Sequence, residues 1–289
     1  MNSLKQIHQD MALTQTMKSV VQTYEELAVL EMQKIRDGVL TTRDFLKRIL
    51  EVYAEVRFSY KDVIDHLIEK NKGSGKLAFS TLNKNGKKVA VLMTSNFGLS
   101  GDISQKVFRE FLDRVNYGNS DIIIIGRRGK ILYDSHGIKK SYSYYDLPEK
   151  GSSMISIKDI IAEIVNYEDV EVFHGKLLNV VNQEGVVSDI TAQLLQQSLE
   201  TEKRNKYTFE PSLREVLRFF EVQIFASLFK QTVSETNLAS LGSRINAMET
   251  ASKNTEDRMK NLIGLNRSVG KSLENKKQLQ RLSGMSLWN

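Results

Sequence analysis

The chain contains no cysteine, which excludes disulfides, thiolate metal sites and thiol catalysis. Proline is nearly as scarce, with Pro148 and Pro211 the only two. Because proline breaks helix interiors, the stretches on either side of this pair, 1–147 and 212–289, are free to form very long helices. No run approaches the roughly 20 consecutive apolar residues of a membrane-spanning helix. The N-terminus MNSLKQIHQD lacks the continuous apolar core of a signal peptide. The four histidines, His8, His66, His136 and His174, are scattered, with no pair at ligand spacing, so no histidine metal site is expected. Charge of one sign is also lacking: 41 basic residues face 35 acidic ones and are spread along the chain, whereas a dedicated nucleic-acid binder clusters them. What is present is 40% hydrophobic content in 289 residues, enough for one or two ordinary domains.

The last region carries the clearest pattern. From Leu238 a heptad register runs through Leu241, Ile245, Met248, Ser252, Thr255, Met259, Leu262, Asn266 and Val269 to Leu273 in alternating steps of three and four. A period of 3.5 keeps these residues on one seam, as in a helix supercoiled on a partner. Polar groups at 252, 255 and 266 weaken the seam but can fix its register. Gly242, Gly264, Gly270 and Gly284 each cost about 1 kcal/mol relative to alanine in a helix, and close approach to a neighbour would explain some of them. Near the N-terminus a matching stripe reads Leu13, Met17, Val20, Tyr24 and Leu27, widened by Ile7, Met11 and Val21. The two stripes predict an antiparallel pair. At 1.5 Å per residue, a single helix over 212–289 would reach roughly 110 Å, beyond the diameter of a domain this size.

Between these ends the sequence reads as α/β. Lys88–Met93 and Asp121–Ile125 are short β-branched runs of the buried parallel-strand type, separated by a helical pattern at Ile103, Val107, Phe111 and Val115. Leu77–Leu82 reads as a preceding strand and Ile155–Val165 as a further helix. Val170–Val181 and Val186–Leu195 read as two more strands about a turn at Asn182–Gly185. The expected organisation is a long N-terminal helix over 1–60, a Rossmann-like α/β domain over 75–200 and a long C-terminal helix over 208–289. The two end helices would form an antiparallel coiled coil.

Candidate chemistry is thin. The strand ending at Met93 runs into Thr94-Ser-Asn-Phe-Gly-Leu-Ser-Gly101, where α/β folds place phosphate loops and nucleophile elbows. The Gly-x-x-x-x-Gly-Lys of a P-loop and the Gly-x-Gly-x-x-Gly of a dinucleotide site are both absent, and Gly98-Leu-Ser100-Gly101-Asp102 lacks the last glycine of an elbow. The segment reads instead as a tight turn whose glycines adopt unusual dihedrals. Gly126-Arg-Arg-Gly129-Lys reads as a loop with solvated cations, and Tyr142-Ser-Tyr144-Tyr145 as core or edge packing rather than a base-stacking platform.

A small α/β domain between two long terminal helices resembles the gamma subunit of F-type ATPases, and particular residues carry the resemblance. Ile7 and Thr14-Gln-Thr-Met17-Lys-Ser-Val20-Val look like the family's first helix. Thr94-Ser95 with Gly98-Leu99-x-Gly101 is similar to its threonine-serine-x-x-glycine-leucine-cysteine-glycine turn, with Ser100 in place of the cysteine. Ile125-Gly-Arg-Arg-Gly129 resembles its isoleucine-glycine-arginine-lysine-glycine segment. Tyr207-x-Phe209-Glu210-Pro211 is similar to its tyrosine-x-tyrosine-glutamate-proline start of the last helix, and Arg244-Ile-Asn-Ala247-Met248 to its arginine-methionine-x-alanine-methionine segment. The chain also departs from the family pattern. Ser240 and Leu241 stand where an acidic residue is usual, Val269-Gly-Lys-Ser-Leu-Glu274 replaces an arginine-glutamine-x-x-isoleucine-threonine segment, and Gln22-Thr-Tyr-Glu-Glu26 lacks the usual basic residues. The resemblance is therefore to a divergent member.

The resemblance implies a non-catalytic rotor shaft with no cofactor and no metal, inside a hexamer of α and β subunits, beside an epsilon-type subunit and a membrane c-ring, with no nucleic-acid partner. It implies rotor-to-stator contacts at Arg244, Met17, Lys18, Met248, Leu287 and Trp288, and contacts of the foot with the ring at Tyr207, Phe209 and Glu210. The implied location is peripheral, at the cytoplasmic face of the cell membrane, without signal or transit peptide. The competing readings are a coiled-coil adaptor that uses its α/β module for dimerisation, and a nucleotide- or nucleic-acid-binding protein with helical arms.

Overall fold

The structure is a computed structural model that describes residues 4–60, 84–115, 119–147, 154–197, 210 and 212–285. Its elements in chain order are α1 (Leu4–Ser59), β1 (Lys88–Met93), α2 (Ile103–Arg114), β2 (Ser120–Ile125), α3 (Arg127–Ser135), β3 (Ser143–Tyr145), α4 (Met154–Ile164), β4 (Asp169–Leu177), β5 (Gln183–Asp189), α5 (Ile190–Gln197) and α6 (Leu213–Met285). The proline-free ends are thus helices of 56 and 73 residues. The chain divides into two compact units, one made of Met1–Leu30 with Arg244–Asn289, the other of Glu31–Ser243.

The second unit is built on a five-stranded sheet ordered β3-β2-β1-β4-β5. The first four strands run parallel, and β5 closes the far edge antiparallel to β4. The apolar runs of β1 and β2 are buried on both sides, as central parallel strands must be. Alternate residues point to opposite faces. On one face Val89, Val91 and Met93 pack with Ile123, Ile125, Val170 and Val172 against α4 (Ile160, Ile164), α1 (Leu46, Ile49, Tyr53, Val56) and α6 (Leu217, Ile224, Phe225, Phe229). On the other face Ala90, Leu92, Ile122 and Ile124 pack against α2 through Ile103, Val107 and Phe111 and against Ala239 of α6. Phe225 and Phe229 are fully buried, and each contributes roughly 1.5–3 kcal/mol of burial.

Within this unit α1 and α6 pair antiparallel. Tyr53 packs at a tilt of 44° against Phe220 with ring centroids 6.0 Å apart, and its hydroxyl donates to Glu221 at 3.3 Å. Three heptads earlier on α1, Met32 reaches the position of Gly242, three heptads later on α6. Burial and the Glu221 carboxylate both push the Tyr53 phenol up, so it stays a donor.

Three sequence expectations in this unit are corrected. The β4–β5 turn is at 178–182 rather than Asn182–Gly185, because the Asn179 side chain accepts from the amides of Val181 (3.0 Å) and Asn182 (2.7 Å), while Gly185 pairs with Gly175 inside the ladder. The strand expected to run to Leu195 stops at Asp189, whose carboxylate caps α5 by accepting from the Ala192 amide at 2.8 Å. The segment after β2 is the start of helix α3 rather than a loop. Tyr142–Tyr145 lies at the edge of the sheet as expected, with 143–145 forming β3. The strand expected at Leu77–Leu82 lies outside the described residues.

Candidate functional site

In the first unit the C-terminal helix follows the heptad register read from the sequence. Ile245, Met248, Thr255 and Leu262 are buried, and Ser252, Met259, Asn266 and Val269 are half-buried. Glu249, Thr250, Lys253, Asn254, Glu256, Asp257 and Arg258, between the seam positions, are exposed. The N-terminal partner does not follow its expected register. The residues facing inward on α1 are Leu4, Ile7, Met11, Thr14, Lys18, Val21, Glu25 and Ala28, again in steps of three and four. The stripe Leu13, Met17, Val20, Tyr24 and Leu27 is displaced by one residue from that seam and is 44–58% exposed. The residues expected only to widen the stripe, Ile7, Met11 and Val21, are the seam itself.

This helix pair is antiparallel too, with the Lys18 ammonium 2.8 Å from the Glu256 carboxylate. The lysine donates, and that hydrogen bond together with its charge holds the Glu256 carboxyl below its usual range. The same pairing fixes where α1 runs out. Two heptads back from Lys18 is Leu4, and two heptads on from Glu256 is Gly270, so beyond Gly270 helix α6 has no α1 opposite it. Lys271–Ser283 is accordingly exposed throughout, including Leu273, which the sequence pattern had counted as the end of the seam. Gly264 and Gly270 face open space, so close approach explains neither of them.

The site residues named from the sequence fall into different environments. Met17 is exposed and Arg244 half-buried. Lys18 is a seam residue engaged with Glu256 rather than a free cation on a solvated face. Met248 is 6% exposed. Its side chain is taken up by the seam. Glu210 is exposed just ahead of α6, whereas Tyr207, Phe209, Leu287 and Trp288 lie outside the described residues. The start of α6 is secured by Ser212 and Glu215: the Ser212 hydroxyl accepts from the Glu215 amide at 3.4 Å and donates to its carboxylate at 3.0 Å. Ser-x-x-Glu ahead of an apolar run is a sequence signature of a helix start, overlooked in favour of Glu210-Pro211.

In the second unit the turn after β1 and the start of α3 form one hydrogen-bonded knot. The Thr94 hydroxyl accepts from the Gly129 amide at 2.7 Å. The Asn96 side chain pairs with both backbone groups of Leu147, at 2.9 Å each. Gly126, at φ 100, lies so close to Thr94 that a Cβ there would run into the Thr94 carbonyl, which only glycine avoids. Ser100 is buried, with its Oγ 3.0 Å from Ser95 Oγ and 3.3 Å from the Phe97 carbonyl to which it donates. These contacts tie Ser100 into the turn.

The comparisons with known proteins agree with this architecture over almost the whole chain. A family model described as ATP synthase matches residues 3–268. The ATP synthase gamma chain of Buchnera aphidicola is 25% identical over 281 residues, covering 91% of this chain and 90% of that one. The gamma chain of Frankia casuarinae is 23% identical over 280 residues, covering 89% and 88%. The chain belongs to the ATP synthase gamma-chain family. In fold it is similar to a chain of the Tetrahymena thermophila mitochondrial ATP synthase central stalk and c-ring, at TM-score 0.55 and 17% identity, over 81% of this chain and 99% of that one. A chain of the Euglena gracilis mitochondrial ATP synthase gives TM-score 0.53 at 13% identity, over 88% and 93%. Set in the gamma-chain family, the threonine-serine turn and the isoleucine-glycine-arginine segment acquire a physical reading: they are the two halves of the knot at Thr94, Gly126 and Gly129. Gamma chains are non-catalytic subunits, in keeping with a turn that binds itself. Among the described residues no helix is long and apolar enough to cross a membrane.

Proposed function

We infer that this chain is the central rotor shaft of an F-type ATP synthase, coupling ion flow through a membrane ring to conformational change in a surrounding hexamer of α and β subunits. The observation that carries the reading is the outer stripe of α1. Leu13, Met17, Val20, Tyr24 and Leu27 stay exposed although the helix already fills a seam with α6. A two-helix coil standing alone in water has no use for a second apolar face, whereas one enclosed by other subunits does. Arg244, Met17 and Lys18 are the rotor-to-stator contacts, with Lys18 acting through its pair with Glu256. Leu287 and Trp288 belong to the tip. Tyr207, Phe209 and Glu210 are the foot's contact with the c-ring, and an epsilon-type subunit sits beside it. The chain is peripheral to the cytoplasmic face of the membrane.

The mechanism is a coupling free energy. Each angle of the shaft presents different faces of α1 and α6 to each β subunit, and only such differential contact shifts the populations of their open and closed states. The experiment is affinity capture of the chain co-expressed with the other subunits of its ATP synthase. Recovery of a nucleotide-hydrolysing hexamer together with an epsilon-type subunit is the expected result. Stable self-association of the chain, with no hexamer recovered, would favour the coiled-coil adaptor instead.

A further inference from the structure

Along most of its length α6 shows one face to solvent, but not between Ala239 and Ser243. All five residues of that run are buried. Five consecutive positions go more than once round a helix of 3.6 residues per turn, so α6 is enclosed on every side there. Glycines let the surroundings approach that closely. A Cβ on Gly175 of β4 would stand 3.0 Å from the Ala239 Cβ and 3.0 Å from Ile103 of α2. On Gly242 of α6 it would stand 2.6 Å from Leu177 and 3.2 Å from Gln183, on opposite sides of the β4–β5 turn, with Met32 of α1 at 3.6 Å. On Gly101, which has φ 56, it would collide with the Ser243 hydroxyl and lie 2.8 Å from the Ser243 carbonyl oxygen. Sheet, hairpin, turn and α1 thus form a collar around one turn of helix.

We propose that this collar is where the α/β domain grips the shaft helix, and that Gly101, Gly175 and Gly242 are positioning residues through which torque passes between the two. A helix packed on one side can roll about its axis at the cost of a few contacts, but one held on all sides at packing distance cannot turn without opening the collar. The collar lies wholly within the second compact unit. The proposal rests on the rotor reading and adds to it where the α/β domain holds α6.

The test uses the assembled complex in sealed vesicles, measuring ATP hydrolysis and ATP-driven ion pumping on the same sample. Gly242→Val forces Leu177 and Gln183 away. The expected result is normal co-purification with the hexamer, hydrolysis retained and pumping per ATP lost, with partial recovery when Leu177→Ala makes room in the same chain. Pumping at the wild-type ratio in Gly242→Val would overturn the proposal. A second arm does not depend on loosening anything. The chain has no cysteine of its own, so Gly175→Cys with Ala239→Cys places one thiol pair across the collar. Oxidation should link the pair, and the linked complex should pump at least as many ions per ATP as the same variant kept reduced, because nothing slips there during turnover. A linked complex that stalls and recovers on reduction, or a pair that will not link, would refute the grip. If even the wild-type chain fails to assemble or pump, the rotor reading has failed; a failure confined to these variants' predicted behaviour removes only the collar.

Discussion

The one-residue displacement between seam and outer stripe on α1 makes a sharp prediction, because neighbouring residues should respond oppositely. Ile7 is 1% exposed and Ala28 fully buried, whereas Leu27 is 50% exposed. Ile7→Ala empties a packed position and should cost about 2–5 kcal/mol. Ala28→Leu adds carbon where none fits and should cost about 1–3 kcal/mol. Leu27→Ala, one position away, removes as much carbon as Ala28→Leu adds yet should change the stability of the isolated chain by no more than about 0.5 kcal/mol. Urea unfolding of the purified chain, followed by helical circular dichroism, reads all three. In the assembled complex the order should invert in one respect: Leu27→Ala weakens capture of the hexamer although the free chain is unharmed. If Leu27→Ala destabilises the isolated chain as much as Ile7→Ala, or if Ala28→Leu stabilises it, the register of the shaft is not the one described.

Three further perturbations probe the second unit. His174 is buried on β4, its Nε2 accepting from the Ser188 hydroxyl at 2.8 Å and its Nδ1 donating to the Gly175 carbonyl at 3.1 Å. Burial pushes its imidazole below the ordinary value, Lys176 adding to this and Glu235 opposing it. The unfolded chain therefore takes up a proton near pH 6.5 that the folded one refuses; stability is whole above that pH and falls as pH drops toward the folded pKa. His174→Gln should flatten that acid slope, and a wild-type urea midpoint that rises on acidification would contradict the assignment. Gly126→Ala meets both a positive φ and the Thr94 carbonyl and should cost about 4 kcal/mol or more. Gly137→Ala, with φ 66 but open space around it, should cost only about 1–2 kcal/mol, and comparable thermal melts for the two would refute the knot. Ser212→Ala should cost about 1 kcal/mol by removing the cap of α6, visible as faster amide exchange confined to the first turns of that helix.

What the sequence made legible follows from which signals were redundant. The seam of α6 survived polar interruptions at Ser252, Thr255 and Asn266 because the three-four spacing persists on both sides of them. The buried strands β1 and β2 were plain because apolar runs that short have few alternatives once a helix separates them. The seam of α1 was misread because its outer stripe is the more hydrophobic of the two: Leu13, Met17, Val20 and Tyr24 outweigh Thr14, Lys18, Val21 and Glu25. Apolar residues meant for another subunit look like core in a single chain. The discriminating signal was continuity, since the true seam extends in unbroken steps through Val39, Leu46, Ile49 and Tyr53 to Val56, while the outer stripe ends at Glu31, Lys34 and Gly38. Helix α3 was hidden by Gly126 just ahead of it and Gly129 in its first turn, which the Thr94 contacts require, and α5 by its apolar residues, where only the Asp189 cap betrayed a helix. The collar was invisible because it depends on distances between residues far apart in sequence, although Gly242 itself stood out as a costly residue in a helix.

A rotor shaft must carry rotation between ion flow and catalysis through its paired helices. In vesicles holding the complete ATP synthase, a chain ending before Leu238 should leave ATP hydrolysis running while abolishing ATP-driven ion pumping. Pumping at the intact chain's ratio of ions to ATP, in an assembled complex lacking that segment, would contradict it.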